Sequence, residues 1–85
     1  NALTDPVSLM EAMEMREALH DADDRNTVDA MIKDTRRAAR ACEQDVAEAL
    51  DQNAYDRARK LTTRLRYLMK MTEEARAKKS RLAAA

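Results

Sequence analysis

The stretch Thr27–Leu50, TVDAMIKDTRRAARACEQDVAEAL, has the most regular apolar pattern in the chain. An α-helix turns by about 100° per residue, so side chains three or four positions apart share a face. One arc of this helix collects small and apolar residues, namely Val28, Met31, Ile32, Thr35, Ala38, Ala39, Cys42, Val46, Ala49 and Leu50. The pattern predicts a long amphipathic helix, capped by Asn26 or Thr27, whose small central residues let a neighbouring helix approach closely.

A polar segment over residues 21–27 predicts a loop before this helix, and another helix precedes the loop. That helix is expected to begin with Asp5 as its N-cap and Pro6 at its first position, and to run to about Ala22. The arc that packs on its neighbours is expected to hold Ala12, Met15, Leu19 and Ala22.

A second polar break, at residues 51–53, predicts a third helix with Asn53 as its cap. This helix is expected to be the longest, from about Ala54 to beyond Arg76, with a frayed or projecting end from Ala75 onward. Its expected buried stripe is Ala58, Leu61, Thr62, Leu65, Leu68, Met69 and Thr72, and Tyr67 and Met71 fall outside that stripe.

The composition agrees with helices and bounds the size of the core. The 85 residues include no glycine, one proline and 38% charged residues, which favours long helices over tightly turned β structure. We therefore predict an all-α fold, an antiparallel up-down-up bundle of three helices over residues 3–85. Asn1 and Ala2 are interpreted as the remnant of a cleaved tag.

No residue pattern predicts catalysis, a metal site or a cofactor. Cys42 is expected to be a small buried residue, and a single thiol fits a reducing, cytoplasmic compartment. His20 lies near acids, but one histidine with carboxylates is a poor zinc site. No apolar run approaches the roughly 18 residues that a membrane span needs. We therefore expect neither enzymatic activity nor a membrane partner.

The net charge of zero hides an uneven distribution along the chain. Residues 1–26 carry a net charge of −5 and residues 54–85 a net charge of +7. The two ends can attract each other across the bundle, or one of them can meet a charged partner. A nucleic-acid-binding third helix is one alternative, through Arg57, Arg59, Lys60, Arg64, Arg66 and Lys70. A neutral domain with an acidic face argues against it.

The first helix has a second arc that mixes thioethers with carboxylates. Met10 and Met13 fall there beside Glu14, Glu17 and Asp21. Exposed methionines are deformable contacts, and flanking carboxylates can orient a basic partner. The arc predicts a protein-docking surface, with Leu9 at its edge and the off-stripe Tyr67 as a companion on the third helix. A dimer seam of a self-associating bundle is the alternative.

Two segments resemble a known family. Residues 9–17, LMEAMEMRE, resemble the L-M-E-x-x-E-x-R-E signature of the C-terminal domain of HscB-type co-chaperones. Residues 64–70, RLRYLMK, resemble the K-L-R-[FY]-L-x-K segment near the end of that domain. The spacing and the helical context also agree.

The resemblance implies a three-helix bundle that binds the iron–sulfur scaffold protein IscU and helps to deliver it to an HscA-type ATPase chaperone. The scaffold-contacting positions that it implies are Leu9, Met10, Met13, Glu14, Glu17, Asp21 and Tyr67. Ala18 and His20 depart from a stretch that is usually more acidic, which is expected to weaken the electrostatic part of binding. ATPase stimulation in that family resides in a J domain with a His-Pro-Asp loop, a tripeptide that does not occur in these 85 residues.

Overall fold

The computed structural model describes residues 5–84, which form three α-helices. They are α1 (Pro6–Asp21), α2 (Arg25–Asp51) and α3 (Tyr55–Ala84). The predicted all-α class and the long third helix are confirmed, and Asp5 caps α1 ahead of Pro6 as expected. The predicted tag remnant, Asn1 and Ala2, lies outside the described residues.

The main interface joins α2 and α3, which run antiparallel along most of their length. Near one end Lys79 Nζ lies 2.6 Å from Asp29 Oδ1, and in the middle the Oγ1 atoms of Thr72 and Thr35 are 2.8 Å apart. Further along, the Cys42 thiol donates to a backbone carbonyl of α3 at 3.2 Å. Cys42 is fully buried, so its expected role as a small core residue is confirmed.

The first helix lies along α3, in the same direction, and contacts it far less extensively than α2 does. Glu11 meets Arg64 near one end, and Arg16 meets Glu74 further on, about one and a half turns along α1 and nearly three turns along α3. The predicted up-down-up order is therefore confirmed, with α1 held mainly by α3.

Two apolar clusters form the core. One lies beside the loop that joins α1 to α2, where all three helices meet, and the other lies near the middle of the α2–α3 interface. The first contains Leu19, Ala22, Val28, Ile32, Met71 and Ala75, and the second contains Ala39, Cys42, Tyr67 and Leu68.

The buried stripe of α3 was predicted correctly in part, since Ala58 and Leu68 are buried and Leu61, Thr62, Leu65 and Thr72 are half-buried. Met69, expected inside, is 53% exposed, whereas Tyr67 and Met71, expected outside, are buried. The helix packs on two neighbours at once, and Tyr67 and Met71 are buried because each clusters with residues of α2 and also meets α1, Tyr67 through Glu11 and Met71 through Leu19. The stripe of α2 is largely confirmed, although Leu50 at its end is exposed.

The N-cap of α2 is Asp24, not Asn26 or Thr27. Its carboxylate accepts the backbone N–H of Thr27 at 2.8 Å and the Thr27 hydroxyl at 2.6 Å. These hydrogen bonds, the one from the hydroxyl first, hold the pKa of Asp24 below its ordinary value of 3.8. The loop between α1 and α2 is therefore shorter than the predicted residues 21–27, because α2 already begins at Arg25.

Asn53 ends α2 rather than capping α3. Its φ of 57° is left-handed, and its N–H donates to the Leu50 carbonyl while the N–H of Ala54 donates to the Ala49 carbonyl. This pair of bonds is a Schellman motif, in which asparagine is a common substitute for glycine. A chain without glycine has used asparagine at this position.

The end of α3 is helical to Ala84, so the expected fraying from Ala75 is wrong. Lys78 Nζ donates to the carbonyls of Leu19 and His20, which are free acceptors in the last turn of α1. Leu82 packs on the cluster around Leu19. The end of α3 therefore covers the α1–α2 connection.

Asn53 provides a test of this turn. Asn53→Gly should keep or raise the melting temperature, and Asn53→Val should lower stability by about 1–2 kcal/mol, because a branched residue resists positive φ. Thermal unfolding followed by circular dichroism measures both variants. The Tyr55 hydroxyl donates to Asn53 Oδ1, so Tyr55→Phe is the control for loss of that bond. Equal stability of the glycine and valine variants would contradict the motif.

Candidate functional site

The candidate site is the outward face of α1, defined as Leu9, Met10, Met13, Glu14, Glu17 and Asp21, all of them exposed. Met10 and Met13 expose 62% and 61% of their surface, and Leu9 exposes 42%. Leu9 therefore belongs to the exposed face. The opposite face of α1 holds the residues predicted to pack, with Leu19 and Ala22 buried and Ala12 and Met15 half-buried.

The carboxylates of the outward face are available to a partner. Among the ion pairs of residues 5–84, none involves Glu14, Glu17 or Asp21. The two exposed thioethers offer apolar contact area, and the carboxylates beside them can accept hydrogen bonds from basic groups. The arrangement suits protein docking.

Tyr67 does not belong to the exposed surface, so its predicted exposure is wrong. Only 9% of the residue is accessible, and its ring packs with Ala39, Cys42 and Leu68. Its hydroxyl donates to the carboxylate of Glu11. A buried tyrosine needs such a partner, and the first helix supplies it.

Glu11 is the functional candidate that sequence reasoning missed. One oxygen of its carboxylate, Oε1, accepts both the Tyr67 hydroxyl and Arg64 Nε, the latter at 3.0 Å. Glu11 lies four residues before Met15 and hence on the packing side of α1, a signal that could have revealed it. Burial first, and then the hydrogen bond and charge of Glu11, raise the pKa of Tyr67 well above its ordinary value of 10.0.

A small apolar groove separates α1 from α2. It has a volume of about 170 Å³, and Met15, Ala18, Met31 and Met71 contribute to its walls. Within residues 5–84, no group of three or more potential metal ligands is assembled. None of the helices in that range is both long and apolar enough to cross a membrane.

The basic residues of α3 do not form one strip for nucleic acid. Arg57, Lys60 and Arg64 line a cleft beside the start of α1, together with Asp5. Arg66 is exposed, and the helical period places it about 120° from Lys60 around α3, so the two do not share one face. Arg64 is already paired with Glu11.

Comparisons with known proteins agree with the resemblance. Residues 4–76 match the family described as the HSCB C-terminal oligomerisation domain. A protein of Arabidopsis thaliana, named iron-sulfur cluster co-chaperone protein HscB homolog, is 32% identical over 72 residues. The matched part is 85% of this chain and 29% of that protein, so the chain spans less than a third of its relative. No solved structure matches the chain.

The hydroxyl of Tyr67 can be tested directly. Tyr67→Phe should cost about 1–3 kcal/mol of unfolding free energy, because it leaves a carboxylate short of one donor. In a Tyr55→Phe background, tyrosinate absorbance should show Tyr67 ionising above pH 10.0. Since the folded pKa is raised, this contribution is complete below the unfolded pKa and is lost as the pH rises further. Ionisation at or below pH 10.0 in the folded protein would contradict the buried hydrogen bond.

Proposed function

Because the chain belongs to the family of HSCB C-terminal oligomerisation domains, we propose that it is a non-catalytic module that docks an iron–sulfur scaffold protein of the IscU type. The docking surface is the outward face of α1. In the whole co-chaperone, this docking serves delivery of the scaffold to an HscA-type ATPase chaperone. The ATPase is engaged by a J domain, so this domain alone binds the scaffold without stimulating the ATPase.

The observation that carries the proposal is the exposure of two methionines on one side of α1. Met10 and Met13 are one turn apart and more than 60% exposed. The α2–α3 core is complete without them, because both core clusters draw on the opposite side of α1. Apolar side chains that a fold does not use are available to a partner.

The acids of the outward face supply selectivity. Glu14, Glu17 and Asp21 follow the methionines along α1, so a partner that covers the apolar patch also meets three carboxylates. Such rim charges mainly set orientation and the rate of association. The scaffold should therefore present basic side chains beside an apolar contact, and its binding should weaken as salt is raised.

The methionines give the decisive variant. Met10→Ser combined with Met13→Ser should lower affinity for the scaffold at least tenfold by calorimetry, since burying each side chain contributes about 1.5–3 kcal/mol. Helicity by circular dichroism should be unchanged, because both residues are exposed.

Met69→Ser is the matched control. Met69 is another methionine in mid-helix, 53% exposed, but it lies on α3 and outside the docking surface. Its replacement should leave affinity unchanged. A folded double variant on α1 that binds as tightly as the parent would refute the assignment of the surface.

A second copy of the chain is the alternative partner for the same face. The matched family is described as an oligomerisation domain, and Val7, which is 74% exposed, extends the apolar patch towards the start of α1. Sedimentation over a wide concentration range separates the two proposals. Docking of the scaffold alone predicts a monomer at every concentration. A dimer that dissociates in the α1 double variant, but persists in Met69→Ser, would favour self-association.

A further inference from the structure

The half of α1 that presents the methionines has little apolar anchorage of its own. Residues 6–14 contain no buried side chain, whereas Leu19 and Ala22 anchor the other end of the helix. Within residues 6–14, Glu11 is the one side chain with a polar bond to another helix in the described chain. The other polar contacts of α1 with α3 involve Arg16 and the last-turn carbonyls.

The geometry at Glu11 restricts rotation. Arg64 and Tyr67 lie three residues apart on one face of α3, and both donate to the same carboxylate oxygen. The ion pair is partly shielded, since the side chains of Arg64 and Glu11 are 32% and 37% exposed. Two donors that converge on one acceptor fix the position of Glu11 more tightly than a single exposed pair would.

We propose that Glu11 is a positioning residue for the docking surface, because its bonds to Arg64 and Tyr67 set the rotation of α1 on α3. With Glu11 held against α3, the helical period turns Met10 by about 100° and Met13 by about 200° from it, towards solvent. The functional part of this inference rests on the proposed function. The mechanical part concerns the free domain.

Loss of Glu11 should loosen one helix end without unfolding the protein. The apolar contacts of the α2–α3 interface and those of Leu19 do not involve Glu11, which reaches that interface only through the Tyr67 hydroxyl. The start of α1 can then populate undocked orientations, and the apparent affinity falls in proportion to the docked fraction. A domain docked for a tenth of the time binds about tenfold more weakly.

Binding of the scaffold to a graded series of variants tests the functional part. Glu11→Ala should weaken binding about tenfold, and Glu11→Gln, which keeps an acceptor for Tyr67, should weaken it less. Glu11→Lys should bind poorly, and adding Arg64→Glu should restore much of the affinity by re-forming the pair in reverse. Arg16→Ala is the matched control. It removes the other ion pair between α1 and α3, 59% and 33% exposed, at the anchored half of the helix, and should change affinity little.

Amide hydrogen exchange of the free domain tests the mechanical part without a partner. Glu11→Ala should accelerate exchange over residues 7–14 more than in the α2–α3 core, because only the start of α1 opens locally. Unchanged exchange over residues 7–14, or equal acceleration throughout the protein, overturns the inference. A parent domain that does not bind the scaffold overturns the proposed function instead, and the exchange result still decides the role of Glu11.

Discussion

The packing of α2 against α3 through small side chains is the constraint on which the fold depends. The largest fully buried residues are Leu68, Val28 and Cys42, and the sequence contains no phenylalanine or tryptophan that could fill a wide gap between helices. Thr35 and Ala39 on the same stripe are also buried, which allows the helix axes to approach closely. Because dispersion contacts fall off steeply with distance, a core of this composition is stabilising only when the helices are close.

The close pair leaves α1 in a different physical situation. It buries Leu19 and Ala22 at one end, and elsewhere only Ala12 and Met15 pack on the core, so polar contacts with α3 hold much of the helix. A helix attached in this way can keep apolar side chains in solvent, because they are not needed to hold it. For the same reason, the outward face of α1 can mix methionines with carboxylates. The face is free to be selected for a partner rather than for packing.

The sequence correctly predicted those features that depend on a single helix or on its contact with one neighbouring helix. The buried stripe of α2 could be predicted because nearly all of it faces one neighbour, α3. The start of α1 could be predicted because its cap, Asp5 followed by Pro6, is a local sequence signal. Asp24 and Asn53 were misassigned, since both lie among several polar residues and only the backbone path selects one of them. The order of α3 beyond Ala75 depends on the contacts of Lys78 and Leu82 with distant residues, which no local pattern contains.

The exposure of the candidate site residues was predicted correctly where it follows from the helical period of α1, and incorrectly at Tyr67. The ring was expected outside because it lies off the predicted stripe of α3, and Glu11 was overlooked because its sequence context is typical of a solvated acid. These two errors have one cause. Burying the Tyr67 hydroxyl or the Glu11 carboxylate alone would leave a polar group without a partner. Together with Arg64, the two can be partly buried at low cost. An aromatic residue beside a docking surface can therefore act from beneath it. In the proposed arrangement, its hydroxyl holds the acid that orients the helix, and the exposed methionines form the contact.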